Sequence, residues 1–244
     1  MGETKVALVA GGSGGIGEGI VAALMGAGYR VYVPTREGDQ SPRLQKYVEG
    51  LGELRPVAAD LSDEGDVTAM RDHIVAEEGR IDAAVVSVGS YYFGYRMHRM
   101  PREDWDRSVR DNLVTHFNLQ RAFIDQMRRQ DHGAYVTLTG PEAETILPDE
   151  GVMSIMAAAQ RMMSKVIAHE SFDSSLRVHS ITVLTSIRTR SRGQEANPDW
   201  ISARDLGSYV AALIEGTVPG AGEVVHELRD HDHVAYLLER SGRT

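Results

Sequence analysis

The sequence predicts an α/β fold: a doubly wound, Rossmann-type, seven-stranded parallel sheet with helices on both faces. Three observations carry that expectation. Short runs rich in Val, Ala and Ile recur along the chain with amphipathic stretches between them, the alternation expected of strand-helix-strand units. The runs are continuously apolar rather than alternating, as strands buried on both faces require. A glycine-rich turn directly follows the first run, where a dinucleotide-binding fold needs it.

Taken in order, strands are expected at 6–10, 30–33, 55–59, 83–88, 134–138, 178–183 and 223–227. Between the first two, Ile16, Ile20, Leu24 and Ala27 recur at three or four residues and mark one helical stripe. Ser62, followed by Asp63 and Glu64, reads as an N-cap with acidic residues at the positive end of a helix. A helix over 152–170 carries Met153, Met156, Met162 and Met163, a stripe suited to core packing or a dimer interface. No Pro/Gly/Ser linker, repeat or low-complexity tract divides the chain, so residues 1–244 are expected to form one domain.

Composition narrows the function classes. The 244 residues contain no cysteine, which excludes a disulfide framework, a zinc-thiolate site and a cysteine nucleophile. With 26 basic and 35 acidic residues the net charge is −9, which argues against general nucleic-acid binding. No apolar run approaches the roughly 18 residues needed to span a membrane. The start, Met1-Gly2-Glu3-Thr4-Lys5, runs straight into an apolar strand, so neither a signal peptide nor a myristoyl anchor is expected. These features together predict a cytoplasmic protein. His231-Asp232-His233 lacks a visible third ligand, so no metal is assigned.

The turn reads Gly11-Gly12-Ser13-Gly14-Gly15-Ile16-Gly17. Glycine lets the backbone approach a pyrophosphate, and the following helix offers free N–H groups and a positive dipole. Its spacing, Gly11-x-x-x-Gly15-Ile16-Gly17, resembles the short-chain dehydrogenase/reductase family. Asp60-Leu61, Gly89 and Asp111-Asn112-Leu113 agree with further family elements, and the resemblance extends from Lys5 to about Glu227. It implies that Gly11, Ser13, Gly15, Ile16, Gly17, Asp60, Leu61, Ser87, Gly89 and Thr189 contact a nicotinamide dinucleotide. After the second strand stands Arg36, and the acidic residue that would favour NAD is absent. A guanidinium there suits a 2′-phosphate, which points to NADP(H) over NAD, although the glycine turn supplies no second cation.

The family's catalytic set is Ser, Tyr and Lys, the last two spaced Tyr-x-x-x-Lys on one helix face. Here no tyrosine lies between Tyr135 and Tyr209. Anchoring at 134–140 and at 168–178 puts Gly140 at the Ser position beside Thr139, Met153 at the Tyr position and Ala157 at the Lys position. A rival alignment uses Arg161 and Lys165, and arginine does not release a proton near neutral pH. Asn112, Thr139, Glu142 and His98 are the remaining catalytic candidates, with Tyr91, Tyr92, Gly140 and Met153 lining the substrate pocket. His116 is expected to pack rather than relay protons, and Glu144 accompanies Glu142. The segment 185–200 corresponds to a substrate lid, and its Arg188, Arg190 and Arg192 suit an anionic or carrier-linked substrate. The resemblance also implies a homodimer or homotetramer. Three functions stay open: an atypical NADP(H)-dependent oxidoreductase with a non-standard proton donor, a non-redox isomerase, lyase or cyclase in the same pocket, and a catalytically inactive partner subunit.

Overall fold

In the computed structural model, which describes residues 4–36, 42–195 and 197–242, strands and helices alternate. The order opens with β1 (Lys5–Ala10), α1 (Gly17–Gly26), β2 (Tyr29–Thr35), α2 (Pro42–Tyr47), β3 (Leu54–Ala58), α3 (Glu64–Glu78) and β4 (Ala83–Val86). It continues with α4 (Arg102–Val109), a π-helical turn (Arg110–Val114), α5 (Thr115–Arg129), β5 (Gly133–Thr139), α6 (Gly151–Glu170) and β6 (Leu176–Val183). The last elements are β7 (Ile187–Arg188), β8 (Ile201–Ser202), α7 (Ala203–Ile214), β9 (Val225–Leu228) and α8 (His231–Arg240). The main sheet is seven-stranded, in the order β3-β2-β1-β4-β5-β6-β9, and every pairing is parallel. Met1–Glu3, on which the expectation about a leader rests, and Ala196 in the lid lie outside the described residues.

Continuous apolarity has its expected consequence in β1. Val6, Leu8 and Ala10 pack into the core beneath α3 and α5, while Ala7 and Val9 enter the opposite core with α1 and α7. The edge strand β3 departs from it: its residues are only half-buried or exposed. Pro56 belongs there, because an edge strand tolerates a residue without an N–H. Strand β4 also stops earlier than expected, at Val86. Ser62 is not the cap of α3. Asp63 accepts the Asp66 N–H at 2.9 Å, while the Ser62 hydroxyl and N–H both donate to Asp60. Among the described residues no helix is long and apolar enough to cross a membrane.

Candidate active site

The order of strands reverses between β1 and β4, and the carboxyl ends of the strands open there into a cavity of about 970 Å³, the ligand position in open α/β sheets. Gly11 and Ser13 of the glycine turn, Arg36 after β2, Asp60 and Leu61 after β3, and Ser87 and Gly89 after β4 line it. Gly11 has φ +84°, and a Cβ there would lie 2.2 Å from the Ser87 carbonyl, so only glycine allows the turn to pass β4. Gly17 meets the same limit: its Cβ would lie 2.0 Å from the Gly11 carbonyl. Ile16 precedes the first turn of α1, and Gly15 sits under the Thr189 side chain. Thr35 Oγ1, at the end of β2, is buried without a hydrogen-bond partner in the structure. With Arg36 beside it and exposed, that end of the cavity fits a phosphorylated ribose.

The far side of the cavity is set by the π-helical turn. Asn112 is buried, donates to the Ser90 and Ser108 carbonyls at 3.1 Å and accepts the Ser90 N–H at 3.2 Å. It therefore pins the loop after β4 through its amide and carbonyl oxygen alike. Gln160 of α6 donates to the Asn112 carbonyl at 2.8 Å, fixing the turn from the other side. Nothing in the sequence flagged Gln160, which is 48 residues from Asn112; its place on the buried face of the predicted helix, one turn past Ala157, is the only signal. Asp111 accepts the Tyr92 hydroxyl at 2.8 Å, and the Tyr92 N–H points to the Met153 sulfur at 3.4 Å. His116 is packed against the Val88 carbonyl, and burial pushes its imidazole down to about 4.

At the end of β5 the residues take different directions. Thr139 turns its hydroxyl into the sheet, toward the Ile181 carbonyl at 3.4 Å and Thr182 at 3.3 Å, instead of toward the cavity. Pro141 then opens a 3-10 turn. That turn folds Glu142 back so that its Oε2 lies 2.0 Å from where a Cβ on Gly140 would stand. The carboxylate thus fills the volume that a side chain at 140 would need. Tyr91 stands near it. Burial, followed by a hydrogen bond and charge from Glu150 and then the charge of Glu142, pushes its hydroxyl up to about 12. Glu144 is taken by Arg161, which also lies 3.7 Å from Glu227. Arg161 brackets this turn against α6 and β9. His98 is exposed on the 3-10 turn Met97–Arg99.

The methionines of α6 divide. Met156 is core, Met153 and Met163 are half-buried, and Met162 is exposed.

Arg188 of β7 and Arg190 and Arg192 after it, expected to face an anion, are each engaged by other groups of the protein. Arg190 donates to both oxygens of the buried Glu18 carboxylate, at 3.1 and 2.8 Å, and stacks over Tyr47. Arg188 donates to the Pro198 carbonyl, and Arg192 lies over Trp200.

A family model described as enoyl-(acyl carrier protein) reductase matches residues 10–208. The chain belongs to the short-chain dehydrogenase/reductase family. D-threitol dehydrogenase of Mycolicibacterium smegmatis is 29% identical over 234 residues, covering 88% of this chain and 90% of that protein. Acetoacetyl-CoA reductase of an Acinetobacter species is 32% identical over 142 residues, and the match spans 57% of each. Among solved structures, a metagenomic short-chain oxidoreductase in complex with NADP superposes with a TM-score of 0.79 at 23% identity. That match covers 93% of this chain and 97% of the other. ElxO with NADP bound gives 0.83 at 16% identity, covering 95% and 99%.

Proposed function

We propose that this chain is an NADP(H)-dependent oxidoreductase of small carbonyl or alcohol substrates in which Glu142 exchanges the proton with the substrate oxygen. The observation that carries the reading is the seat of Glu142, whose carboxylate occupies the side-chain space of Gly140 at the carboxyl end of β5. Met153 and Ala157 then stand where the family's tyrosine and lysine would be. The cofactor part rests on Arg36, the unpartnered Thr35 hydroxyl and the lack of an acidic residue within Tyr32–Arg36, at the end of β2. Gly11, Ser13, Asp60, Leu61, Ser87 and Gly89 would hold the dinucleotide along the cavity. Bound there, NADP(H) supplies or accepts the hydride. In carbonyl reduction a proton drawn from solvent reaches the oxygen through the Glu142 carboxyl, and in alcohol oxidation the carboxylate takes one back. Tyr91, raised to about 12, stays a phenol at neutral pH and is hydrogen-bonded to Glu150. Asn112 and Gln160 position the loop on which Tyr91 sits. Exposed Phe117 on α5 and Ile155, Met162 and Val166 on α6 support the pairing of these helices in a homodimer or homotetramer.

The test follows NADPH absorbance with a panel of short aldehydes and ketones. Substrate-dependent oxidation is expected, and Glu142→Gln should slow it by roughly 10²–10⁴ while leaving NADPH affinity unchanged. Turnover without NADPH consumption would instead support acid-base chemistry by Glu142 alone, and absence of NADPH binding would end the oxidoreductase reading.

A further inference from the structure

A 2′-phosphate carries close to two negative charges at neutral pH, and one guanidinium answers only one of them. The glycine turn contains no Lys or Arg. Among the residues that line the cofactor cavity, the one cation besides Arg36 is Arg110, from the π-helical turn on the opposite wall. Its fork is held by its neighbour: Nε and Nη2 approach the same Asp111 oxygen, at 3.0 and 2.9 Å. Nη1 has no hydrogen-bond partner among the described residues, and the side chain is 56% exposed. Asp111 meanwhile keeps its other oxygen on the Tyr92 hydroxyl. The aspartate is therefore paired, and it orients the guanidinium rather than offering the cavity a free negative charge.

Asp60, between the two walls, registers both arginines. Its carboxyl is held below the usual range first by the Ser62 N–H and hydroxyl, and further by the charges of Arg36 and Arg110. The other carboxylate of the cavity is thus also occupied by donors of its own loop.

We propose that Arg110 is the second cation of the 2′-phosphate subsite, closing on the phosphate from the π-helical turn while Arg36 holds it from β2. It takes the place of the basic residue that the glycine turn lacks. The assignment rests on the NADP(H) reading above. It also joins the cofactor to the substrate loop, because the carboxylate that aims Arg110 is the one that holds Tyr92.

Adenosine 2′,5′-bisphosphate and 5′-AMP differ only in the 2′-phosphate, so calorimetric titration of the full chain with each isolates the subsite. The unaltered protein should prefer the bisphosphate. Arg110→Ala should reduce that preference by about tenfold or more, Arg110→Lys should restore part of it, and 5′-AMP affinity should stay unchanged. Arg36→Ala should give a loss of similar size. A preference untouched by Arg110→Ala would overturn the assignment and leave the NADP(H) reading standing. An equal loss for both nucleotides would overturn it too, because it would mark Arg110 as support for the cavity wall. No preference in the unaltered protein would instead defeat the NADP(H) reading itself.

Discussion

The hydroxyl of Tyr135 lies in the core between the sheet and the helices α3 and α5, buried and without a hydrogen-bond partner in the structure. Burial alone drives its ionisation up, so it remains a neutral phenol. An unpaired buried hydroxyl costs roughly 1–3 kcal/mol, whereas the ring packs as a phenylalanine would. Tyr135→Phe should therefore stabilise the fold by about 1 kcal/mol and raise Tm by roughly 2–4 °C in calorimetry. A lower Tm would mean that the hydroxyl has a partner, such as a buried water. Glu142 and Gln160 are the opposite case at the same scale, polar groups whose surroundings give them work. Their types were visible in the sequence, and their positions were not. A glycine at 140 announced a missing side chain, but that Glu142 folds back into its place depends on the 3-10 turn opened by Pro141.

Elements were more legible than contacts. Parallel strands buried on both faces wrote continuous apolar runs, and five of the seven declared themselves in that way. The edge strands β3 and β9 were found from the same pattern although each is partly exposed. The π-helical turn left no mark, since its extra residue looks like any helical segment. Nor could sequence join Arg190 to Glu18, 172 residues away. That pair fastens the segment after β7 across the first turn of α1. Thr189 stands over Gly15, Arg43 lies 3.6 Å from Glu18, and Tyr47 lies under the guanidinium. Glu18 is only 2% exposed, so removing Arg190 leaves a buried carboxylate with Arg43 at 3.6 Å as its remaining cation. In Arg190→Ala, hydrogen exchange should quicken at 187–195 and in the first turn of α1, and NADPH should dissociate faster. Unchanged exchange in both places would show that the segment is held by β7 and β8 alone.

Acid sensitivity belongs to the whole molecule, because three buried histidines, one on α5 and two on neighbouring strands of the sheet, are held neutral. His116 sits under the loop after β4, at about 4 through burial. His179 of β6 is also lowered to about 4, first by burial and further by His226 and Arg177, against a hydrogen bond to the Glu223 carbonyl. His226 of β9 is lowered chiefly by burial. The two rings meet at 3.2 Å, and the Tyr209 hydroxyl closes the cluster from α7 at 3.1 Å. In the unfolded chain each would titrate near 6.5. The folded values are lower, so between about 6.5 and 4 the unfolded state binds more protons, and stability rises with pH. The contribution is complete above about 6.5 and is lost as pH falls toward 4, for His116 of the order of 3 kcal/mol. The lowered carboxyls of Asp60 and Asp111 act in the same direction but only below about 4. Loss between pH 6.5 and 5 is therefore the histidines' own. Urea unfolding should show a steady fall in stability across that window, and His179→Gln should flatten it by joining β6 to β9 without a second ionisable ring. A flat profile from pH 7 to 5 would mean that at least one buried imidazole gains a compensating acceptor when protonated.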